Sequence, residues 1–270
     1  MIVHPHAKIN LGLRVVAKRA DGFHDLETLF YPIQLHDILE IVENKSAKKG
    51  TCDFSLSGMN LEDDGNNLCF QAYMMLHKDY SLPGIKMHLH KHIPVGAGLG
   101  GGSSDAAFTI RTLNELFDLR LSNEKMKAYA ANLGSDCAFF IEDVPAFATG
   151  RGELLENFDI SLANYHIVLI NPGIHVSTAL AYGGVKPNVS NGEMKTSLAG
   201  TPVSWKTDVV NDFEAHIFES YPEIAAIKEK FYLEGALYAA MSGSGSSVFG
   251  IFKEKPNLNK FPKAYFCTLV

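Results

Sequence analysis

No two of the four cysteines, Cys52, Cys69, Cys137 and Cys267, are close enough in sequence to form a CxxC pair. That spacing argues against a thiolate zinc site and for a reducing compartment, so a cytoplasmic protein is expected. Unbroken apolar stretches of about 18 residues are also missing, and no membrane span is expected. The opening "MIVHPHAKINLGLRVV" has no apolar core of signal-peptide length. Positive charge is not in excess: the net charge is -6 and the pI is near 6.0. A broad surface for nucleic acid or anionic membrane is therefore not expected, although a small basic pocket is still possible. What is present is 270 residues, 46% of them hydrophobic. That suffices for one large domain or two modest ones.

Along the chain, strand and helix signals are mixed without regular alternation. Ile9, Leu11, Leu13 and Val15 alternate as in a strand, Asp21-Gly22 is a turn signal, and "DILEIVE" is strand-like again. Leu68, Ala72, Met75 and Leu76 recur at helical spacing behind a cap at Asn66 or Asn67. "IKMHLHKHI" alternates cleanly, with Ile85, Met87 and Leu89 on one face and Lys86, His88 and His90 on the other. A helix follows the glycine segment through Ala106, Ala107, Ile110, Leu113 and Phe117, and a second is opened by Ser122 and closed near Gly134. "YHIVLINPGI" reads as a buried strand, and residues 186–204 read as an exposed loop. Two short helices split at Pro222 precede a strand, a glycine turn and another strand in "ALYAAMSGSGSSVFGIF". The expected class is α+β in two lobes, 1–150 and 151–270.

The densest glycine segment is "IPVGAGLGGGSSDAA", Ile93 to Ala107. A strand that ends in glycines and opens a helix suits phosphate, because backbone N–H groups can converge and the helix start carries partial positive charge. Ser103 and Ser104 at the helix start can cap it, or reach phosphate or Mg²⁺. The P-loop template fails, since no lysine follows the glycines. A dinucleotide fingerprint matches formally at Gly96, Gly98 and Gly101, but a second helix follows where a parallel strand is needed, and Glu115 and Asp118 lie on or beside the first helix. A flexible turn is the plain alternative, although turns rarely hold so many glycines and then run into a clean helix.

"PVGAGLGGGSSDAA" resembles the second motif of the GHMP kinases, in which it wraps the triphosphate of ATP. "AKINLGLRVVAKRADGFHDLETLF" is similar to the opening motif of one branch, whose acceptor is a cytidine diphosphate-linked methylerythritol. Phe23 departs from that pattern, where tyrosine is usual. "LGSDCAFFI" and "AAMSGSGSSVFGIF" resemble two further family segments, and "NLCFQA", "AFATGRGE" and "NDFE" are smaller matches. Together they reach from residue 7 to about residue 252. The resemblance implies a two-lobed fold with ATP and substrate in a cleft between the lobes, and ATP with Mg²⁺ as the phosphoryl source.

Site roles follow from the resemblance. Asp136 is the expected base: a carboxylate helps by accepting the hydroxyl proton as transfer proceeds. On the residues alone it is equally a capping aspartate after Gly134. Lys8, otherwise an ordinary solvated lysine, would keep Asp136 ionised and stabilise developing charge. The expected ATP contacts are Pro94, Val95, Gly96, Ala97, Gly98, Leu99, Gly100, Gly101, Gly102, Ser103 and Ser104, with Asn67, Leu68 and Lys91 nearer the adenine. His24 would read the cytosine edge, Phe23 and Tyr182 would stack on the base, and Asn10 would orient substrate or phosphate. His88, His90 and His92 alternate and could line a metal site, but no carboxylate or cysteine is locally placed to complete one, so no protein metal site is expected. A monomer or homodimer is expected, with a small molecule as partner.

Overall fold

The computed structural model of the protein describes residues 1–59, 67–189 and 192–270. The first half contains strands β1 (Ile2–Val3), β2 (His6–Lys18), β3 (His24–His36), β4 (Ile38–Glu43) and β5 (Cys52–Gly58), then helix α1 (Leu68–Tyr80) and β6 (Ile85–Lys91). Helices α2 (Gly101–Leu116) and α3 (Asn123–Leu133) and a 3₁₀ turn at Cys137–Ile141 follow. The remainder is β7 (Ala146–Thr149), β8 (Leu154–Asn157), β9 (His166–Asn171), α4 (Thr178–Gly183), α5 (Glu193–Leu198), α6 (Glu214–Ser220), α7 (Pro222–Leu233), β10 (Tyr238–Met241), β11 (Val248–Phe252) and β12 (Phe266–Leu269). The chain is α+β, as expected.

Two compact units result, and they are interleaved in sequence. One holds residues 1–7, 34–95 and 100–143; the other holds 8–33, 96–99 and 144–270. The single boundary expected near residue 150 is replaced by this division. The reason is strand pairing: β2 and β3 share a sheet with β7 and β8 and so travel with the later part of the chain.

In the first unit the sheet order is β1-β4-β6-β5. β4 and β6 are antiparallel, with Leu39 opposite Leu89 and Ile41 opposite Met87. α2 packs on β4 and α1 on β5, so alternate residues Ile85, Met87 and Leu89 are buried while the other face is open. On that open face the rings of His88 and His90 hydrogen-bond the hydroxyls of Ser55 and Ser57 at 2.8–2.9 Å. His92 lies beyond the end of the strand and is exposed. Helix α1 starts where Asn67 Oδ1 accepts the Cys69 N–H at 2.9 Å; Asn66 lies outside the described residues. Ser122 caps α3 and Gly134 ends it.

The second unit holds two four-stranded sheets, β2-β3-β7-β8 and the antiparallel β10-β11-β9-β12. Its core joins Val168, Ile170, Met241 and Val248 to the apolar side of α7, where Ile224, Ile227 and Phe231 recur at helical spacing. Pro222 opens α7, where its missing N–H costs nothing.

Residues 186–204 correct the expectation of an exposed loop. Residues 193–198 are helix α5, with Met194 and Leu198 buried. These two lie four apart, on one side of a helical turn. Met194 packs against Gly12 of β2, where a β-carbon would stand only 2.6 Å from its sulfur. A single apolar pair in a turn-rich stretch leaves too faint a periodic signal to read in sequence. Leu198→Ala should therefore cost about 2–5 kcal/mol. Val189→Ala, at a residue 83% exposed, should stay within about 0.5 kcal/mol. Urea denaturation of both variants checks this; equal small effects would return the segment to a loop.

Candidate active site

The lower part of the glycine loop, Gly96–Leu99, belongs to the second unit and is held by backbone contacts. Lys8 donates its N–H to the Leu99 carbonyl at 2.9 Å, and Ser247 donates its N–H to the Ala97 carbonyl at 3.2 Å. Gly98 has φ +78°, a conformation other residues rarely adopt. A β-carbon there would lie 1.9 Å from the Ser242 carbonyl oxygen. Glycine is thus required twice over, for its dihedral and for the close approach of the turn between β10 and β11. Ser242 Oγ donates to the Gly98 carbonyl at 2.9 Å and accepts the Asn10 N–H at 3.2 Å.

Lys8 and Asn10 project from β2 beside this contact. The Lys8 ammonium donates to Asn10 Oδ1 at 2.5 Å and to the Gly98 carbonyl at 3.3 Å. It also lies 4.8 Å from the centre of the Phe30 ring, and the side chain is 3% exposed. Asn10 Nδ2 donates to Thr28 Oγ1 at 2.8 Å, and that hydroxyl donates to the Gly12 carbonyl at 2.6 Å. These bonds fix the amide orientation, so Asn10 offers its oxygen to the ammonium. The loop therefore has a cation against it although none follows it in sequence.

The upper part of the loop opens α2 in the first unit. Gly100, at φ +70°, is the capping residue, and no side chain caps the helix. Neither Ser103 nor Ser104 takes the capping role expected of it. Both lie inside the first turn, past the capping position, and the Ser104 N–H already donates to the Gly100 carbonyl at 2.9 Å. Ser104 Oγ is buried without a hydrogen-bond partner among the described residues. Ser103 faces the Gly134–Cys137 segment, for its hydroxyl lies 3.9 Å from a β-carbon built at Gly134. Asp136 opens the 3₁₀ turn half-buried, and its side chain makes no capping bond. The capping alternative for Asp136 is thereby removed. Pro94 is buried and Val95 is 54% exposed. Asn67 spends its side-chain oxygen on α1, and Leu68 is the first residue of that helix.

Lys91, expected nearer the adenine, is buried among carboxylates. It continues the buried side of β6 after Ile85, Met87 and Leu89, and its ammonium pairs with Asp37 and with Asp105, the latter at 2.6 Å. Burial works against the charge on Lys91, but Asp105 and Asp37 outweigh it and hold the pKa above its usual value. Burial pushes the Asp105 carboxyl up, with Lys91 opposing. The ammonium lies 3.3 Å from a β-carbon built at Gly101, directly under the helix start. Asp37 Oδ1 also accepts the N–H groups of His92 and Ile93, at 2.6 and 2.9 Å. Sequence reading missed Asp37 and Asp105; the signal was the alternation of β6, which puts Lys91 on the apolar side and demands carboxylates there.

Of the residues expected at the base, His24 and Tyr182 come together. Their rings stack at 4.8 Å between centroids with planes 22° apart. Tyr182 in turn meets the edge of Phe213 at 4.8 Å. Phe23 is 54% exposed, and its ring packs under the Arg151 guanidinium at 5.0 Å. No ring contact joins it to the stacked pair among those described.

Comparison with known proteins accords with this geometry. Residues 67–151 match the family model "GHMP kinases N terminal domain", and residues 194–266 match "GHMP kinases C terminal". The 4-diphosphocytidyl-2-C-methyl-D-erythritol kinase of Bacteroides fragilis is 48% identical, across 99% of this chain and 98% of that protein. The protein of that name from Cytophaga hutchinsonii is 49% identical, across 95% of this chain and 94% of its own. A crystal structure of 4-(cytidine 5'-diphospho)-2C-methyl-D-erythritol kinase, 32% identical, superposes with a TM-score of 0.77 over 93% of this chain and 90% of that one. The Methanococcus jannaschii mevalonate kinase shares the fold alone, at 13% identity and a TM-score of 0.73 over 100% of this chain and 97% of its own. With near-full-length relatives at almost half identity and both family models matched in order, the chain belongs to the GHMP kinases.

Proposed function

We propose that the protein transfers the γ-phosphoryl group of ATP to the 2-hydroxyl of 4-diphosphocytidyl-2-C-methyl-D-erythritol, a step of the non-mevalonate route to isoprenoid precursors. The observation that carries the reading is the Gly96–Leu99 segment pinned against Ser242 and the Lys8 ammonium. The near-full-length relatives of that activity support the choice of acceptor. Four free cysteines suit a reducing cytoplasm.

Each residue then has a physical task. Backbone N–H groups of the loop and of the first turn of α2 bind phosphate oxygens, with the helix start adding partial positive charge. Lys8 stabilises charge developing on the transferred group and on the acceptor oxygen. Asp136 accepts the hydroxyl proton. His24 and Tyr182 take the cytosine, one by hydrogen bonds and one by stacking, and Asn10 orients the groups beside Lys8. Phe23 supplies a second aromatic face from its exposed position. Asn67 and Leu68 border the adenine side.

Mg²⁺ fits the donor set. Among the described residues no three His, Cys, Asp or Glu side chains gather to hold a metal. A phosphate-bound Mg²⁺ needs no such cage, because it keeps waters and takes few protein oxygens. The partnerless Ser104 hydroxyl, or that of Ser103, is the protein oxygen in this reading. The ion would neutralise phosphate charge.

Purified protein with ATP, Mg²⁺ and the cytidyl substrate should release ADP, whereas homoserine and mevalonate should not support turnover. The reverse pattern overturns the acceptor assignment. Asp136→Asn should bind both ligands and lose about 10²–10⁴-fold in kcat, the usual range for a general base; near-normal kcat would remove it from that role. His24→Ala should raise KM for the cytidyl substrate more than KM for ATP, and equal losses would count against base recognition. Gly98→Ala cannot keep both its dihedral and its contact with Ser242, so ATP binding measured by calorimetry should weaken strongly; unchanged affinity would show the loop contact to be dispensable.

A further inference from the structure

The "NDFE" segment, Asn211–Glu214, has no task in the mechanism above, yet it touches both ends of the binding surface in the second unit. It is tied to β2, which carries Lys8 and Asn10. Leu13 donates its N–H to the Val210 carbonyl, and Asp212 donates its N–H to the Leu13 carbonyl, each at 2.8 Å. Asp212 Oδ2 accepts the Val15 N–H at 2.8 Å. The segment thus lies beside β2 as a short parallel bridge, with its backbone fixed.

Asn211 is 3% exposed. Its Nδ2 group donates to the carbonyls of Met241 and Gly243, each at 2.8 Å, and its Oδ1 accepts the Phe213 N–H at 3.0 Å. The two carbonyls flank Ser242, the residue whose hydroxyl and carbonyl both meet Gly98. One amide therefore holds the turn on either side of its contact with the loop. Glu214 adds to the hold by accepting the Met241 N–H at 2.8 Å. Only an amide meets this demand, since a carboxylate has no hydrogen to give two carbonyls. Two residues on, Phe213 is buried and its ring meets Tyr182, which stacks on His24.

We infer that Asn211 and Phe213 are positioning residues for opposite ends of the substrates: Asn211 sets the glycine turn and with it the phosphate loop, and Phe213 sets the Tyr182–His24 pair that takes the nucleobase. The inference rests on the kinase reading above and gives one short segment of chain two separable functions.

The test compares Asn211→Ser, which retains a single shorter donor, with Phe213→Leu, which keeps the bulk and loses the ring edge. Calorimetry with the non-hydrolysable analogue AMP-PNP and with CDP reads the two ends without turnover. Asn211→Ser should weaken AMP-PNP by about tenfold or more, as expected for a buried carbonyl left unpaired, and leave CDP within about threefold. Phe213→Leu should do the reverse. Hydrogen exchange of the unliganded proteins should show the same split, faster in residues 241–247 for the first variant and in residues 177–184 for the second. Parallel losses at both ends, or exchange raised equally in both segments, would reduce the segment to general packing and overturn the inference. Failure of the wild type to bind either nucleotide would instead overturn the kinase reading, and the exchange pattern would still decide whether the two residues act on separate ends.

Discussion

The backbone of Gly98 lies so near the Ser242 carbonyl that not even a methyl group fits between them. Much of the candidate site depends on that approach. It brings the phosphate loop against the turn between β10 and β11, and the pairing of Lys8 with Leu99 seats the same loop on β2. Two chain segments far apart in sequence thereby meet, main chain close against main chain, with the Ser242 hydroxyl bonded to the Gly98 carbonyl. Such a contact is rigid, because shifting it breaks hydrogen bonds whose buried partners have no water to replace it. A rigid loop suits phosphoryl transfer, where most of the catalytic gain comes from holding groups in position.

Charge is placed by the same economy of motion. A P-loop carries its own lysine; here the cation comes from β2, held by Asn10 and by the Gly98 carbonyl. The second buried lysine, Lys91, does a different job. Paired with Asp37 and Asp105, it is occupied with carboxylates of its own unit. Removing one partner would leave a buried charge uncompensated, which is far more costly than the pair is stabilising. Asp37 extends the arrangement into the backbone through the N–H groups of His92 and Ile93, at the point where β6 gives way to the glycine loop. The triad and the Asn211 clamp are thus two devices on two different units, each bracing one part of the same loop.

Much of the fold was legible because its signals are local. Alternation marked β6, the serine and glycine around α3 marked its ends, and Pro222 marked the break between α6 and α7. The failures are equally specific. Helix α5 shows only Met194 and Leu198 on its apolar side, too little periodicity to stand out from a polar stretch. Ser103 and Ser104 looked like caps because they stand near the helix start, but Gly100 ends the loop in a left-handed conformation and sets that start a residue or more before them. The parity of β6 puts Lys91 on its buried side, but the carboxylates that meet it, Asp37 and Asp105, come from other segments. Interleaving of the two units was hidden because strand pairing partners are not neighbours in sequence.

By itself, the sequence determined the chemistry available: a glycine loop able to surround phosphate, a family resemblance running through most of the chain, and the identities of Lys8, Asp136 and His24 as candidates. These are properties of single residues and short motifs, where dihedral freedom and side-chain chemistry are intrinsic. Only the tertiary structure decided what each candidate touches. It set Gly98 against Ser242, 144 residues later in the chain. It stacked His24 on Tyr182 while leaving Phe23 with Arg151. It gave Asn211 and Phe213 their places behind the site. Contacts of this kind arise when remote segments are packed together, and no local periodicity records them.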